Sequence, residues 1–335
     1  MNPKRFGFLA ALFFSRALMA NTVNLNVVDA DEKKIGGAET NVTFQSSAAG
    51  RWPVVTRVTN EQGFTRSEGT TATGFDVRAS KAGHYSAEWI NIPATNSVEK
   101  TIVLPSKKAP IPLFARRVGY QSGIDEMLPA ENQWLGYDFE VGDWIAPYGK
   151  GATVDIRFRY RHEFSGYWLS GAKLEEEIVI NKEIAARDKR GWTEEGFKLA
   201  AGKWAGDLEI SFPGPQEGLI EVVDRFLPYS QLKMPHEAPT EGYGPGWKYS
   251  VTNFSPMGWR DNAGFFLRTR VKLDERGNLV SAHYAKVIGD FRFSPQGRLA
   301  FTYYFNPTPN DRNLEFDLDR NLFPKGPAGT EIRDP

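Results

Sequence analysis

The chain has 335 residues, with 41 Lys and Arg against 41 Asp and Glu, so its formal net charge is zero. That balance argues against a nucleic-acid partner, which needs a basic face, and against docking on a strongly anionic membrane. The length suits two domains that each bury a core, and the lack of cysteine excludes disulfide staples and thiol chemistry.

Residues 1–20 have the layout of a secretory signal: Lys4 and Arg5 precede a short apolar run over 6–14, cut by Arg16. Small residues then offer cleavage after Ala17 or Ala20. The expectation is a chain that is soluble in the periplasm or outside the cell after cleavage. This run is too short to span a bilayer and no later segment is long enough, so no membrane span is predicted.

Residues 21–108 read as one small β module. Val23, Leu25 and Val27 alternate with Asn24 and Asn26, the period of a half-buried strand. Ala38, Thr40, Val42 and Phe44 form a second such set, Phe75, Val77 and Ala79 a third, and Ile102 with Leu104 a last one. Residues 29–37 and 59–64 are predicted turns, with Gly63 at positive φ. Short strands separated by turns predict a sandwich. The segments VVDADEKKIGGAETNVTF, TNEQGFT and VRASKAGHY, in that order, resemble the carboxypeptidase regulatory-like domains. The resemblance covers about 22–104 and implies a transthyretin-like or Ig-like sandwich that is a non-catalytic accessory module. A long segment over 45–58, carrying Trp52, departs from that pattern. His84 is read as a packed strand-end histidine rather than a ligand.

Residues 106–112 (SKKAPIP) are a predicted extended connector. The second module, 112–323, opens with the stretch 133–160, where Asp138, Glu140 and Asp143 mix with Trp134, Tyr137, Phe139, Trp144 and Tyr148. Strands are predicted over 114–118, 154–159 and 208–212. Residues 173–180 allow helix or strand, and a strand running into a short helix is the reading adopted. Residues 226–262, rich in Pro, Gly and aromatics, read as one long loop. A hairpin follows, with Phe265, Leu267, Thr269, Val271 and Leu273 alternating before a turn at 274–278 and a return strand over 279–288. A last strand is placed at 299–305, and 324–335 are expected to be a flexible tail. The phrases GYDFEVGDWIAPYGKG and FNPTPNDRNLEFDLDRNLF resemble segments of uncharacterised exported bacterial proteins that pair them with the regulatory-like module. That resemblance implies one architecture for the full length and no activity. The fold class expected is all-β: an Ig-like or transthyretin-like sandwich followed by a larger β-sandwich or jelly-roll-like domain with long loops.

No H-E-x-x-H, G-x-S-x-G, P-loop or G-x-G-x-x-G signature occurs, and His84, His162, His236 and His283 are isolated in sequence. Paired carboxylates could serve a glycosidase or lyase; Asp138, Glu140 and Asp143 are the candidates, although a solvated strand face explains them as well. Asp317 and Asp319, near Asn310, Asp311 and Asn313, have oxygens suited to calcium, or equally to capping a turn; no other cofactor is expected. Turn aromatics suit a sugar ring or a peptide, and Trp144, Tyr148, Trp247, Tyr249 and Trp259 are the candidate ligand-binding set, with Trp134 and Trp168 of the same kind. The function expected is an exported, non-catalytic accessory binding a polysaccharide or an envelope protein. The alternatives are a carbohydrate-active hydrolase or lyase and a structural surface scaffold.

Overall fold

A computed structural model describes residues 20–45, 52–71, 73–119, 126–187, 201–252, 260, 262–325 and 332–335. Residues 1–19 of the candidate leader, and Trp259, lie outside them. The protein is all-β, with one helix among the described residues. No helix among them is long and apolar enough to cross a membrane. The chain forms two compact units: one takes the residues up to Lys107 together with Tyr229–Gln231, the other takes Lys108–Pro228 and Leu232–Pro335.

The first unit has seven strands, β1 (Ala20–Val28), β2 (Glu39–Gln45), β3 (Val54–Val58), β4 (Phe64–Thr70), β5 (Gly74–Ser80), β6 (Ala87–Pro93) and β7 (Ser97–Val103). They make a three-stranded sheet, β4-β1-β7, and a four-stranded sheet, β3-β2-β5-β6. All pairs are antiparallel except β1 with β7. The alternating residues read from the sequence are the core: Val23, Leu25, Val27, Val42, Phe44, Phe75, Val77 and Ile102 pack together fully buried. Gly63 takes φ 69° in its turn, where a Cβ would stand 2.5 Å from the Val27 carbonyl oxygen. The edge of β6 is not bare. Tyr229–Gln231 runs along it, with Glu88 N donating to Tyr229 O (2.7 Å) and Gln231 N to Ser86 O (2.9 Å). The Tyr229 ring lies 3.9 Å from that of Trp89.

Three of these strands escape the periodicity argument for a physical reason. The inward residues of β4 are Thr65, Ser67 and Gly69, because Phe44 reaches across and fills that space; a Cβ on Gly69 would meet its ring at 2.5 Å. In β3 and β6 the apolar residues Val54, Val58 and Ile90 are exposed, so no buried alternation marks either strand.

The second unit contains β8 (Phe114–Val118), β9 (Glu126–Met127), β10 (Leu135–Asp138), β11 (Asp143–Trp144), β12 (Ile156–Tyr167), α1 (Ala172–Arg187), β13 (Gly202–Ser211), β14 (Gly218–Val222), β15 (Gly246–Thr252), β16 (Gly264–Leu273), β17 (Leu279–Phe293) and β18 (Arg298–Asn306). A five-stranded sheet, β11-β10-β12-β13-β15, faces a six-stranded one, β14-β16-β17-β18-β8, with β9 paired to β18. Between them lies an aromatic core that includes Tyr137, Phe139, Phe158, Phe265, Phe291 and Phe301. A second apolar layer covers the other face of the six-stranded sheet, where Phe266, Tyr284 and Tyr304 meet Phe226, Met234, Leu314 and Phe316.

Three expectations are corrected here. Residues 173–180 are helical throughout, within α1: Leu174, Glu177, Ile178 and Asn181, spaced i, i+3, i+4 and i+7, form its partly covered stripe. The 226–262 stretch is not all loop, since 246–252 are strand β15, in which Trp247, Tyr249 and Val251 alternate with exposed Lys248 and Ser250. The tail expected over 324–335 is docked at 332–335, where Tyr304 Oη donates to Asp334 O (2.8 Å), Lys233 Nζ to Asp334 Oδ2 (2.6 Å) and Lys286 Nζ to Pro335 O (3.1 Å). Beyond Lys107 the connector is anchored, since Lys108 N and Ala109 N donate to the buried Glu315 carboxylate at 2.9 and 2.7 Å.

Candidate functional site

The stretch 133–160 supplies a set of closely engaged acids and an exposed tryptophan, Trp134. Asp138, at the end of β10, is buried. Its Oδ1 accepts from Glu140 N and Val141 N, its Oδ2 from Ala152 N and Thr153 N, all within 2.9–3.1 Å. Burial alone would raise its pKa, but these four N–H groups outweigh burial and hold it below the ordinary aspartate value. Asp143 accepts from Trp144 N (2.8 Å) and Lys150 N (3.0 Å), and the turn closes so tightly that a Cβ at Gly149 would sit 2.5 Å from Asp143 Oδ1.

Glu140 belongs to a charge cluster around Arg270. That residue sits at a bulge in β16 with φ 52°. Its guanidinium holds Asp155 through both oxygens (Nε–Oδ1 2.8 Å, Nη2–Oδ2 2.9 Å), Glu140 at 2.7 Å and Asp138 at 3.4 Å. It lies 4.7 Å over the Phe305 ring. Asp155 is fully buried, and burial pushes its pKa up even with the arginine beside it. Asp138, Glu140 and Asp143 are therefore occupied in holding turns and the two sheets together.

Asp317 accepts Asp319 N (3.0 Å) and Arg320 Nε (2.6 Å); the Arg320 bond keeps its carboxyl below the usual range. That is the capped turn foreseen as the alternative to calcium, and Asp319 contributes its backbone to it. Among the described residues no three His, Asp or Glu side chains are grouped to hold a metal.

The aromatics separate. Trp144 is 4% exposed and packs edge-on to Tyr137 at 5.1 Å. It is a core residue, contrary to its expected place in a ligand surface, because β11 turns its side chain under β10. Trp247 and Tyr249 are half-buried on the inner side of β15, stacked on each other at 5.3 Å and 14°, with Trp247 edge-on to Phe265. Tyr148 and Trp134 are each 41% exposed, and Gln133 Nε2 donates to Tyr148 Oη at 2.8 Å. Trp168, 37% exposed, lies beyond the end of β12.

Trp134 precedes β10, and the strand register carries the chain from it across the sheet. Leu135 pairs with Phe158, Arg159 with Glu209, and Glu209 with Lys248. Trp134, Arg159, Glu209 and Lys248 thus form one cross-strand row on the solvent face of the five-stranded sheet. The Arg159 guanidinium lies 4.5 Å over the Trp134 ring and pairs with Glu209. One cation thereby fixes the plane of an exposed indole. Beside this row is an open groove of about 410 Å³ lined by Trp134, Glu209, Ser211, Pro245, Gly246 and Trp247, among others. Gly246 lets β15 approach β13 closely at its edge: a Cβ there would stand 2.5 Å from the Ile210 carbonyl oxygen. Of the sequence candidates, Trp247 lines the groove and Tyr249 stacks on it, while Tyr148 accepts from Gln133, the residue before Trp134. The charged lining, Glu209 and Lys248, and the Arg159 that braces Trp134 were not singled out from the sequence. The trace of Arg159 there is the outward half of the RFRYR alternation in β12.

No family model matches the chain, and no curated protein matches it. Among solved structures it is similar to a streptococcal ancillary pilin (14% identity, TM-score 0.19), with 45% of this chain and 56% of that one covered. The chain thus spans about half the length of that pilin. A putative carbohydrate binding protein from Bacteroides uniformis is 9% identical, with TM-score 0.20 over 87% of this chain and 98% of that one. BcpA, the major pilin subunit of Bacillus cereus, is 9% identical, with TM-score 0.21 over 86% and 96%. At these scores the likeness carries no argument about ligand or assembly.

Proposed function

We propose that this is an exported, non-catalytic accessory protein whose second module holds a glycan in the Trp134–Trp247 groove. The observation that carries the reading is the exposed Trp134 ring, braced flat by Arg159 at the mouth of an open groove that Trp247 also lines. A flat apolar face with polar groups around it suits a pyranose ring, whose own apolar face stacks while its hydroxyls meet Glu209, Ser211 and Lys248. The hydrolase reading has less support, since Asp138, Glu140 and Asp143 are engaged by backbone N–H groups and Arg270. In this reading 1–20 are a signal peptide removed on export, 21–108 a regulatory-like module, and 112–323 the glycan-binding module.

The test is retention of the secreted chain on a panel of immobilised polysaccharides, with released reducing ends measured in the same samples. Retention without product is expected, and Trp134→Ala and Trp247→Ala should each weaken it at least tenfold. Product release that survives both substitutions would overturn the reading in favour of an enzyme, and retention unaffected by both would move the binding surface elsewhere.

A further inference from the structure

The solvent face of the five-stranded sheet carries more positive than negative charge, and the surplus lies beside the groove. Along β12, Arg157, Arg159 and Arg161 point outward in succession, about 7 Å apart at a rise near 3.4 Å per residue. Their cross-strand neighbours on β13 are Ser211, Glu209 and Asp207, and beyond these on β15 come Gly246, Lys248 and Ser250. Glu209 is taken by Arg159. Asp207 accepts from Ser250 Oγ at 2.5 Å and faces Lys248 Nζ at 3.8 Å. Arg157 and Arg161 keep their guanidinium groups out of any ion pair or hydrogen bond among the described residues. Arg157 stands opposite Ser211, which lines the groove.

Two uncommitted guanidinium groups on a rigid sheet, flanking an aromatic ring, form a recognition surface for planar anions. We propose that the glycan taken by this face is acidic, a polymer whose sugar rings carry carboxylates, with a ring stacked on Trp134 and carboxylates on Arg157 and Arg161. This rests on the glycan-binding reading of the same groove and specifies the class of sugar. A fork-shaped donor facing a carboxylate gives two parallel hydrogen bonds as well as charge. Arg157 and Arg161 therefore select acidic over neutral polymers, and Trp134 selects sugars over other polyanions.

The experiment uses the full secreted chain with polygalacturonate and with the same polymer fully methyl-esterified, which keeps the sugar backbone and removes the carboxylate charge. Affinity is measured by titration calorimetry at low salt. The acidic form is expected to bind at least tenfold more tightly. Arg157→Gln with Arg161→Gln should remove that preference by lowering the affinity for the acidic form at least tenfold, while Trp134→Ala should weaken both forms. Both arginines lie on the solvent face, and an unchanged melting temperature verifies that the double variant folds. Equal affinity for the two forms overturns the acidic-sugar proposal and leaves the glycan reading standing. Binding of polyglutamate as tight as that of polygalacturonate, and indifferent to Trp134→Ala, overturns it in favour of an acidic protein partner. Binding to neither polymer nor to any neutral glycan removes the glycan reading with it.

Discussion

The two sheets of the second unit come from equally aromatic sequence and end in opposite situations. The six-stranded sheet is covered on both sides: Phe265 enters the core between the sheets, and its neighbour Phe266 is buried under the second layer. The loop aromatics near that sheet, Phe226, Tyr243 and Phe316, are cover for it. Tyr243 donates to Pro239 O and carries the Arg268 guanidinium 4.4 Å over its ring. The five-stranded sheet buries one face only and lays Arg, Glu and Lys rows on the other. Loop aromatics therefore mean packing beside the first sheet and presentation beside the second, a difference set by what each sheet leaves uncovered.

Three measurements break or sharpen that comparison. The largest effect belongs to the group that ties the sheets together. Arg270→Ala leaves Asp155 buried without its counter-charge and should cost about 3–5 kcal/mol in a denaturant titration. A loss below about 1 kcal/mol would mean the sheets do not depend on this cluster. Next is the charge trapped on the covered face. Lys286 is fully buried, and burial lowers its pKa to about 7, against the attraction of Glu315 and Asp334. Its unfolded value is about 10.5, so between the two the unfolded chain binds more protons and stability rises with pH. From pH 7 to pH 9 the gain should be about 2 kcal/mol, and Lys286→Met should flatten it; a slope that persists in the variant would place the titrating group elsewhere. Smallest in stability is the exposed face. Trp134→Ala loses one cation–π contact and should cost about 0.5–1 kcal/mol, although it weakens glycan retention at least tenfold. A stability loss of several kcal/mol would show that Trp134 is part of the core after all.

How much of this was legible in the sequence depends on whether burial left a period. Val23-Leu25-Val27 have one face in the core, and their alternation marks them; the 264–288 hairpin is buried on both faces over Gly264–Thr269, and the charged residues interleaved towards its turn mark it. In that hairpin the turn is also visible, with Asp274 Oδ1 accepting Arg276 N and Asn278 N. Strand β15 is an edge strand that follows a run of Pro and Gly, so the alternation of Trp247, Tyr249 and Val251 was hidden by its surroundings. The site was legible only as a kind of residue. Which tryptophans reach solvent is decided by tertiary packing: Trp134 and Trp144 lie in one stretch of mixed acids and aromatics, yet one is in the open and the other under Tyr137. The acids misled for a related reason, since a carboxylate that caps a turn has the same local sequence as one free to react.

The cover on β6 has a consequence for biosynthesis. Tyr229–Gln231 completes that edge from a position roughly 140 residues further along the chain, so at about 5–20 residues per second the first unit waits roughly 10–30 s for it. Throughout that interval the nascent unit displays an open strand edge with Trp89 and Ile90 beside it.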